Sequence, residues 1–147
     1  MYAKLIVAFA FVASVAFAGN VKFEDCGHHE VVKLNISQCA DGVATCVLHK
    51  GKPLALDAEM ISNQDTAKIS VHLSAKVEGL EIPIPGVDRD GCKYVKCPVK
   101  KGEHVHLNYA LTVPKLLPNL HNVEIGAKIS GDHGLLACLR LHGDLSN

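Results

Sequence analysis

Lys68-Ile69-Ser70-Val71-His72-Leu73-Ser74-Ala75-Lys76-Val77 alternates polar and apolar side chains without a break. Successive side chains of a strand point to opposite faces, so this period of two marks a half-buried antiparallel strand. The same pattern recurs on both sides of it. Leu54, Leu56, Ala58 and Met60 alternate with Ala55, Asp57 and Glu59. Val105, Leu107, Tyr109, Leu111 and Val113 alternate with His104, His106, Asn108, Ala110 and Thr112. Val123, Ile125, Ala127 and Ile129 alternate with Glu124, Gly126 and Lys128. Further strands are expected over Val21–Asp25, over Val31–Ile36 with Val32, Leu34 and Ile36 on one face, and over Leu135–Leu145. In the last, Leu135, Ala137, Leu139 and Leu141 share one face, and Leu136, Cys138, Arg140 and His142 the other. Beyond the first residues no segment holds a helical apolar period over three turns. Short strands separated by turn signals imply an all-β sandwich or barrel of antiparallel sheets.

One stretch breaks the rhythm. Gly79 to Pro85 is apolar but carries Pro83 and Pro85, which lack the N–H that a central strand needs. Val87 to Pro98 is a polar turn region containing Cys92 and Cys97. A rigid apolar segment followed by a clipped turn suits the edge or mouth of the sandwich, with Ile82, Ile84 and Val87 as rim residues.

Met1 to Ala18 reads as a secretory signal. Lys4 gives the basic start, Leu5 to Val15 the apolar run, and Ala16-Phe17-Ala18 a small-x-small cleavage site. The expected mature chain, residues 19–147, is a single secreted domain. It would carry 14 basic against 15 acidic groups. That balance leaves no basic block for a nucleic-acid partner. No other apolar run reaches membrane-spanning length, so stable membrane insertion is not expected.

All 6 cysteines follow the cleavage site, and an even count in a secreted chain implies disulfides. Several pairings are open from spacing alone. Locality favours Cys39–Cys46 and Cys92–Cys97, which leaves Cys26 with Cys138. Asn35-Ile36-Ser37 is a glycosylation sequon.

No catalytic constellation is visible. The mature chain has no Gly-x-Ser-x-Gly elbow, and its serines lack assignable His–Asp support. His28-His29-Glu30 and His104-x-His106 lack the third and fourth ligands of a metal centre and read as solvated polar face. Neither an enzyme nor a cofactor is expected. Lys96, Lys100 and Lys101 could meet an anionic headgroup or simply keep a sheet edge solvated.

The core is aliphatic. The mature chain has only Phe23, Tyr94 and Tyr109 as aromatics, and no Trp. Sheets with such faces either pack closely or splay around a cavity. Candidate lining residues are Leu54, Leu56 and Met60, then Val71 and Leu73, then Val105, Leu107, Tyr109, Leu111 and Val113, and finally Val123, Ile125 and Leu139.

A resemblance bears on that choice. Asp25-Cys26-x-x-His29-Glu30, His49-Lys50-Gly51-Lys52-Pro53, Gly79-Leu80-Glu81 and Pro85-Gly86-Val87-Asp88 stand in order before Cys92-Lys93-Tyr94-Val95-Lys96-Cys97-Pro98. Val113-Pro114-Lys115 and Gly131-Asp132-x-Gly134-x-x-Ala137-Cys138 follow. This resembles the mite group-two allergens, within the lipid-recognition family that includes the Niemann-Pick type C sterol carrier and the endotoxin co-receptor of Toll-like receptors. The resemblance implies an immunoglobulin-like β-sandwich whose splayed sheets hold a lipid, with disulfides Cys26–Cys138, Cys39–Cys46 and Cys92–Cys97. It implies a non-catalytic carrier of fatty acid, sterol or a lipopolysaccharide-like lipid, recognised by IgE antibodies of sensitised hosts and able to present lipid to Toll-like receptor signalling. One departure stands in the pocket region: Leu111 occupies the place two residues after Tyr109 where close relatives carry Trp. The alternative from another class is a protein-recognition module with no ligand between its sheets.

Overall fold

The computed structural model describes residues 19–39 and 45–147. The signal reading, Met1–Ala18, lies outside them. The alternating stretches form two facing sheets. The first holds β1 (Gly19–Asn20), β3 (Val31–Ile36), β5 (Pro53–Ile61) and β8 (His104–Thr112), in that order across the sheet. The second runs β2 (Glu24–Asp25), β10 (Gly134–Ser146), β9 (Leu120–Gly131), β6 (Ser70–Val77) and β7 (Leu80–Pro83). β4 (Thr45–His49) joins it by pairing with β10 in parallel, from Thr45 opposite His142 to His49 opposite Ser146. This is the one parallel ladder in an otherwise antiparallel arrangement among the described residues.

Three details differ from the alternation read in the sequence. The single strand expected over Val21–Asp25 is two short strands serving different sheets: β1 pairs with β3, and β2 pairs with β10. The chain crosses between sheets through Val21, whose N–H donates to the Leu34 carbonyl. Within β3 the pairing with β5 slips between Val31 and Lys33. That irregularity buries Val31 and leaves Val32 54% exposed, the reverse of the expected face. A second slip, between Leu135 and Ala137, places Leu136 in the core beside Ala137, each 1% exposed. A bulge sets two residues against one on the partner strand and so breaks strict alternation.

The ends of the sandwich are unlike. At one end the loop from Ser62 to Ala67 clamps the β9–β10 hairpin. Gln64 Oε1 accepts from the His133 N–H (2.8 Å), Thr66 Oγ1 from the Asp132 N–H (2.9 Å), and Asp132 Oδ2 from the Ala67 N–H (2.8 Å). Gly131 is required there, since a Cβ would come within 2.6 Å of Gln64 Oε1. Glu30, 5% exposed, accepts from the His28 N–H and from Asn63 Nδ2. Met60, Ile69, Val99, Val105 and Leu136 fill this end with buried apolar volume. Cys26–Cys138, Cys39–Cys46 and Cys92–Cys97 are bonded.

Candidate functional site

Toward the other end the sheets part around an apolar cavity. Its wall follows from the strand registers. In the first sheet Leu34, Ala58 and Leu107 form one rank across β3, β5 and β8. Ile36, Leu56 and Tyr109 form the next, and Leu54 with Leu111 a third. In the second sheet Leu73, Ala127 and Leu139 form a rank across β6, β9 and β10, followed by Ala75, Ile125 and Leu141. Val71 and Ile129 stand at one end of these ranks, and Leu48 and Leu145, adjacent through the parallel ladder, at the other. Val113, Pro114 and Leu117 close one side and Ile84 another. The cavity is about 120 Å³, a narrow slot below the usual size of small-molecule sites.

The wall presents carbon almost everywhere. Its one side-chain polar group is the Tyr109 hydroxyl, which turns away and donates to the Asp88 carbonyl at 3.0 Å. Burial pushes this phenol above the usual tyrosine range. The ring packs on Tyr94 with centroids 4.4 Å apart, a favourable tilted aromatic contact.

The stretch Gly79–Pro98 forms the border of the second sheet. β7 pairs with β6 from Leu80 opposite Val77 to Pro83 opposite Ser74. The chain then continues along the same edge, with N–H···O bonds from Ile84 to Leu73, Val71 to Arg89, and Gly91 to Ile69. Gly91 fits against Ile69 so closely that a Cβ would lie 2.6 Å from its Cγ2. The short 3-10 turn Gly91–Lys93 is capped by Asp90, which accepts from the Cys92 N–H. Lys93 Nζ donates to Asp88 Oδ2 at 2.9 Å, and this bond holds the Asp88 carboxyl below its ordinary range. Asp88 thus lies between β6, through its neighbour Arg89, and β8, through Tyr109.

The sequence-derived candidates divide accordingly. Leu54, Leu56, Val71, Leu73, Ile84, Leu107, Tyr109, Leu111, Val113, Ile125 and Leu139 meet in the wall. Met60 and Val105 do not: they stand one rank further on, in the filled end. Val123 is buried opposite Gly143, before the register slip that brings Leu145 into the wall. Val87 packs against the core outside the cavity. Ile82, 48% exposed, stays on the border strand while Ile84 reaches the wall. Lys100 and Lys101 sit at the filled end, their N–H groups bound to Glu103 and Asp65, away from the cavity wall. A lysine beside the wall is Lys50, whose Nζ donates to the Leu117 carbonyl at 3.0 Å. Leu34, Ile36, Ala58, Ala75, Ala127, Ile129, Leu141 and Leu145 were missed as lining: their alternation was visible, but not which rank faced the open half; Leu48 lies on β4, which the sequence reading did not assign. Pro114 and Leu117 come from a loop and carried no periodic signal.

His104 Nδ1 lies 3.4 Å from Glu59 Oε1, and His28 Nδ1 lies 3.7 Å from Glu30 Oε1. No group of three potential metal ligands converges among the described residues.

Comparison with known proteins agrees with this architecture. The family model for the ML domain of the E1, Der p 2 and Der f 2 group matches residues 20–144. The mite group 2 allergen Lep d 2 of Lepidoglyphus destructor is 46% identical over 142 residues, covering 97% of this chain and 98% of the relative. Tyr p 2 of Tyrophagus putrescentiae is 44% identical, with the same coverage of 97% and 98%. Among solved structures, a Niemann-Pick type C2 protein from the Japanese carpenter ant superposes with a TM-score of 0.77 at 20% identity, over 85% of this chain and 99% of that one. Chicken MD-1 complexed with lipid IVa superposes at 0.55 and 16% identity, over 82% and 85%. These structural likenesses concern the fold; with the family match and the sequence identities, they place the chain in the ML-domain family, to which the mite group 2 allergens also belong.

Proposed function

We propose that this chain is a secreted, non-catalytic lipid carrier that shelters the apolar body of a fatty acid, sterol or related lipid between its two sheets. The observation that carries the reading is the cavity wall of aliphatic side chains with its single hydroxyl turned outward. Such a wall leaves no polar group unpaired when an acyl chain enters. Each buried methylene contributes about 0.8 kcal/mol, so a chain of about a dozen carbons contributes on the order of 10 kcal/mol before ordering costs. The polar head then stays at the mouth, in water. The MD-1 structure that shares the fold carries lipid IVa. Allergenicity, with recognition by IgE, and presentation of lipid to Toll-like receptor signalling belong to the same proposal. They rest on the kinship with mite group 2 allergens.

Native mass spectrometry and solvent extraction of the purified protein should find co-purifying lipid, and a fluorescent fatty acid should bind. Ala127 sits in the middle of the wall, so Ala127→Phe should abolish binding while the disulfides still form. A protein that yields no lipid and binds no fluorescent fatty acid would sink the reading.

A further inference from the structure

Among the described sheet edges β8 is the long unguarded one; β4, which pairs only with β10, also lacks charge and proline but is five residues. β1 and β2 are two residues each. β7 is four residues, ends in Pro83, and is followed by Pro85. β8 is nine residues long and carries no Lys, Arg, Asp, Glu or Pro. Its pairing with β5 is continuous from Thr112 opposite Pro53 to His104 opposite Ile61, with no bulge to turn the edge away. Natural sheets guard exposed edges with charge, proline, bulges or short length, and β8 uses none of these.

The main chain shows which groups are free. The Val113 N–H donates to Lys52, and the Glu103 carbonyl accepts from Ser62, so odd-numbered positions bond toward β5. His104, His106, Asn108, Ala110 and Thr112 therefore turn their N–H and C=O away from the sheet. All of them are exposed, and no main-chain group of theirs bonds to another described residue outside the β5 ladder.

We propose that this edge is the interface of a two-fold symmetric dimer of the chain, with β8 pairing antiparallel to β8 of a second copy about Asn108. The sequence of the strand favours a copy of itself as occupant. With Asn108 facing Asn108 of the second copy, the full strand overlaps. His106 then meets Ala110, and His104 meets Thr112, so no like charges oppose each other even when the histidines are protonated. Among the described residues, the carboxylate paired with His104 is Glu59, on β5 of the same copy, at 3.4 Å. The result is a closed isologous pair in which the two four-stranded sheets become one.

The test is association of the full mature chain, followed by sedimentation velocity and amide hydrogen exchange from about 10 μM to about 1 mM. A concentration-dependent dimer is expected, with slowed exchange at His106, Asn108 and Ala110. Asn108→Lys places two lysines opposite each other at the axis and should weaken the dimer at least about tenfold. Asn108→Pro removes only an outward N–H and should do the same. Both variants should keep the circular dichroism of the monomer. Should either misfold, Ala110→Lys, opposite His106, serves in its place. A chain that stays monomeric throughout the range, or a dimer that Asn108→Lys and Ala110→Lys leave unchanged, overturns the proposal.

Discussion

The Tyr109 hydroxyl donates to the Asp88 carbonyl at 3.0 Å and so ties the border of the second sheet to the edge strand of the first. The bond thus joins the two sheets along one side of the sandwich. Tyr109→Phe keeps the ring packing on Tyr94 and removes only this tie. It should cost about 1 kcal/mol in stability and speed lipid exchange. The phenol's raised pKa gives a second readout. The folded state holds this proton more tightly than the unfolded chain, so the stability it contributes is fully present below pH 10.0 and is lost as pH rises through the folded value. Urea melts at neutral pH and near pH 11 should therefore show a smaller alkaline loss in Tyr109→Phe than in the parent. Equal losses would mean that the phenol is not held in the folded state as described.

The Cys92–Cys97 bond closes a separation of only five residues, directly beyond the pairing of Arg89 and Gly91 with β6. So short a loop restricts the unfolded chain little compared with a long one. Its local effect is to hold the turn that presents Asp88 to Tyr109. Cys92→Ser/Cys97→Ser should lower global stability modestly and raise the off-rate of a fluorescent fatty acid by several-fold. An off-rate equal to that of the parent would assign the clip to structure alone.

Cys26–Cys138 joins β2 to β10 across a separation of 112 residues. Chain-entropy arguments assign such a crosslink about 4–5 kcal/mol, close to the whole stability of many domains. Cys26→Ser/Cys138→Ser should lower the midpoint of denaturant unfolding far more than loss of the Cys92–Cys97 clip does. Paired urea titrations of the two double variants check the order.

How much of this was legible in the sequence turns on bulges and ranks. Alternation identified the inward faces of β5, β6, β8 and β9, because those strands pair without interruption over their central residues. It failed at Val32 and Leu136, where a register slip adds a residue that no local pattern announces. It also could not tell Leu107 from Val105. Both face inward on β8, but Val105 lies in the end filled by Leu136, Ile69 and Val99, and Leu107 lies one rank nearer the opening. That distinction depends on which loops cap each end, a tertiary fact. Leu136→Ala should accordingly cost about 2–5 kcal/mol, as a cavity left in a packed core. Val32→Ser, on an exposed position, should shift stability by less than about 0.5 kcal/mol. Thermal melts of the two variants measure the contrast, and equal losses would place both side chains on the same footing.

Asn35 is half-buried on β3, between Asn20 on β1 and Asp57 on β5. Its neighbours Leu34 and Ile36 point into the cavity wall, so its own side chain points outward. The sequon serine has a structural use as well: Ser37 Oγ accepts from the Ala55 N–H at 2.9 Å. Attachment precedes folding in the secretory pathway, and an outward position lets the folded sheet tolerate the sugar. Expression through a eukaryotic secretory host should give a chain whose mobility increases on treatment with an N-glycosidase. Asn35→Gln should remove that shift without changing lipid binding, since the side chain lies on the face away from the cavity. Ser37→Ala should remove it as well, but at a cost of about 1 kcal/mol, because the Ala55 N–H loses its partner. A secreted chain with no enzyme-sensitive shift would show that the strand context keeps Asn35 unmodified.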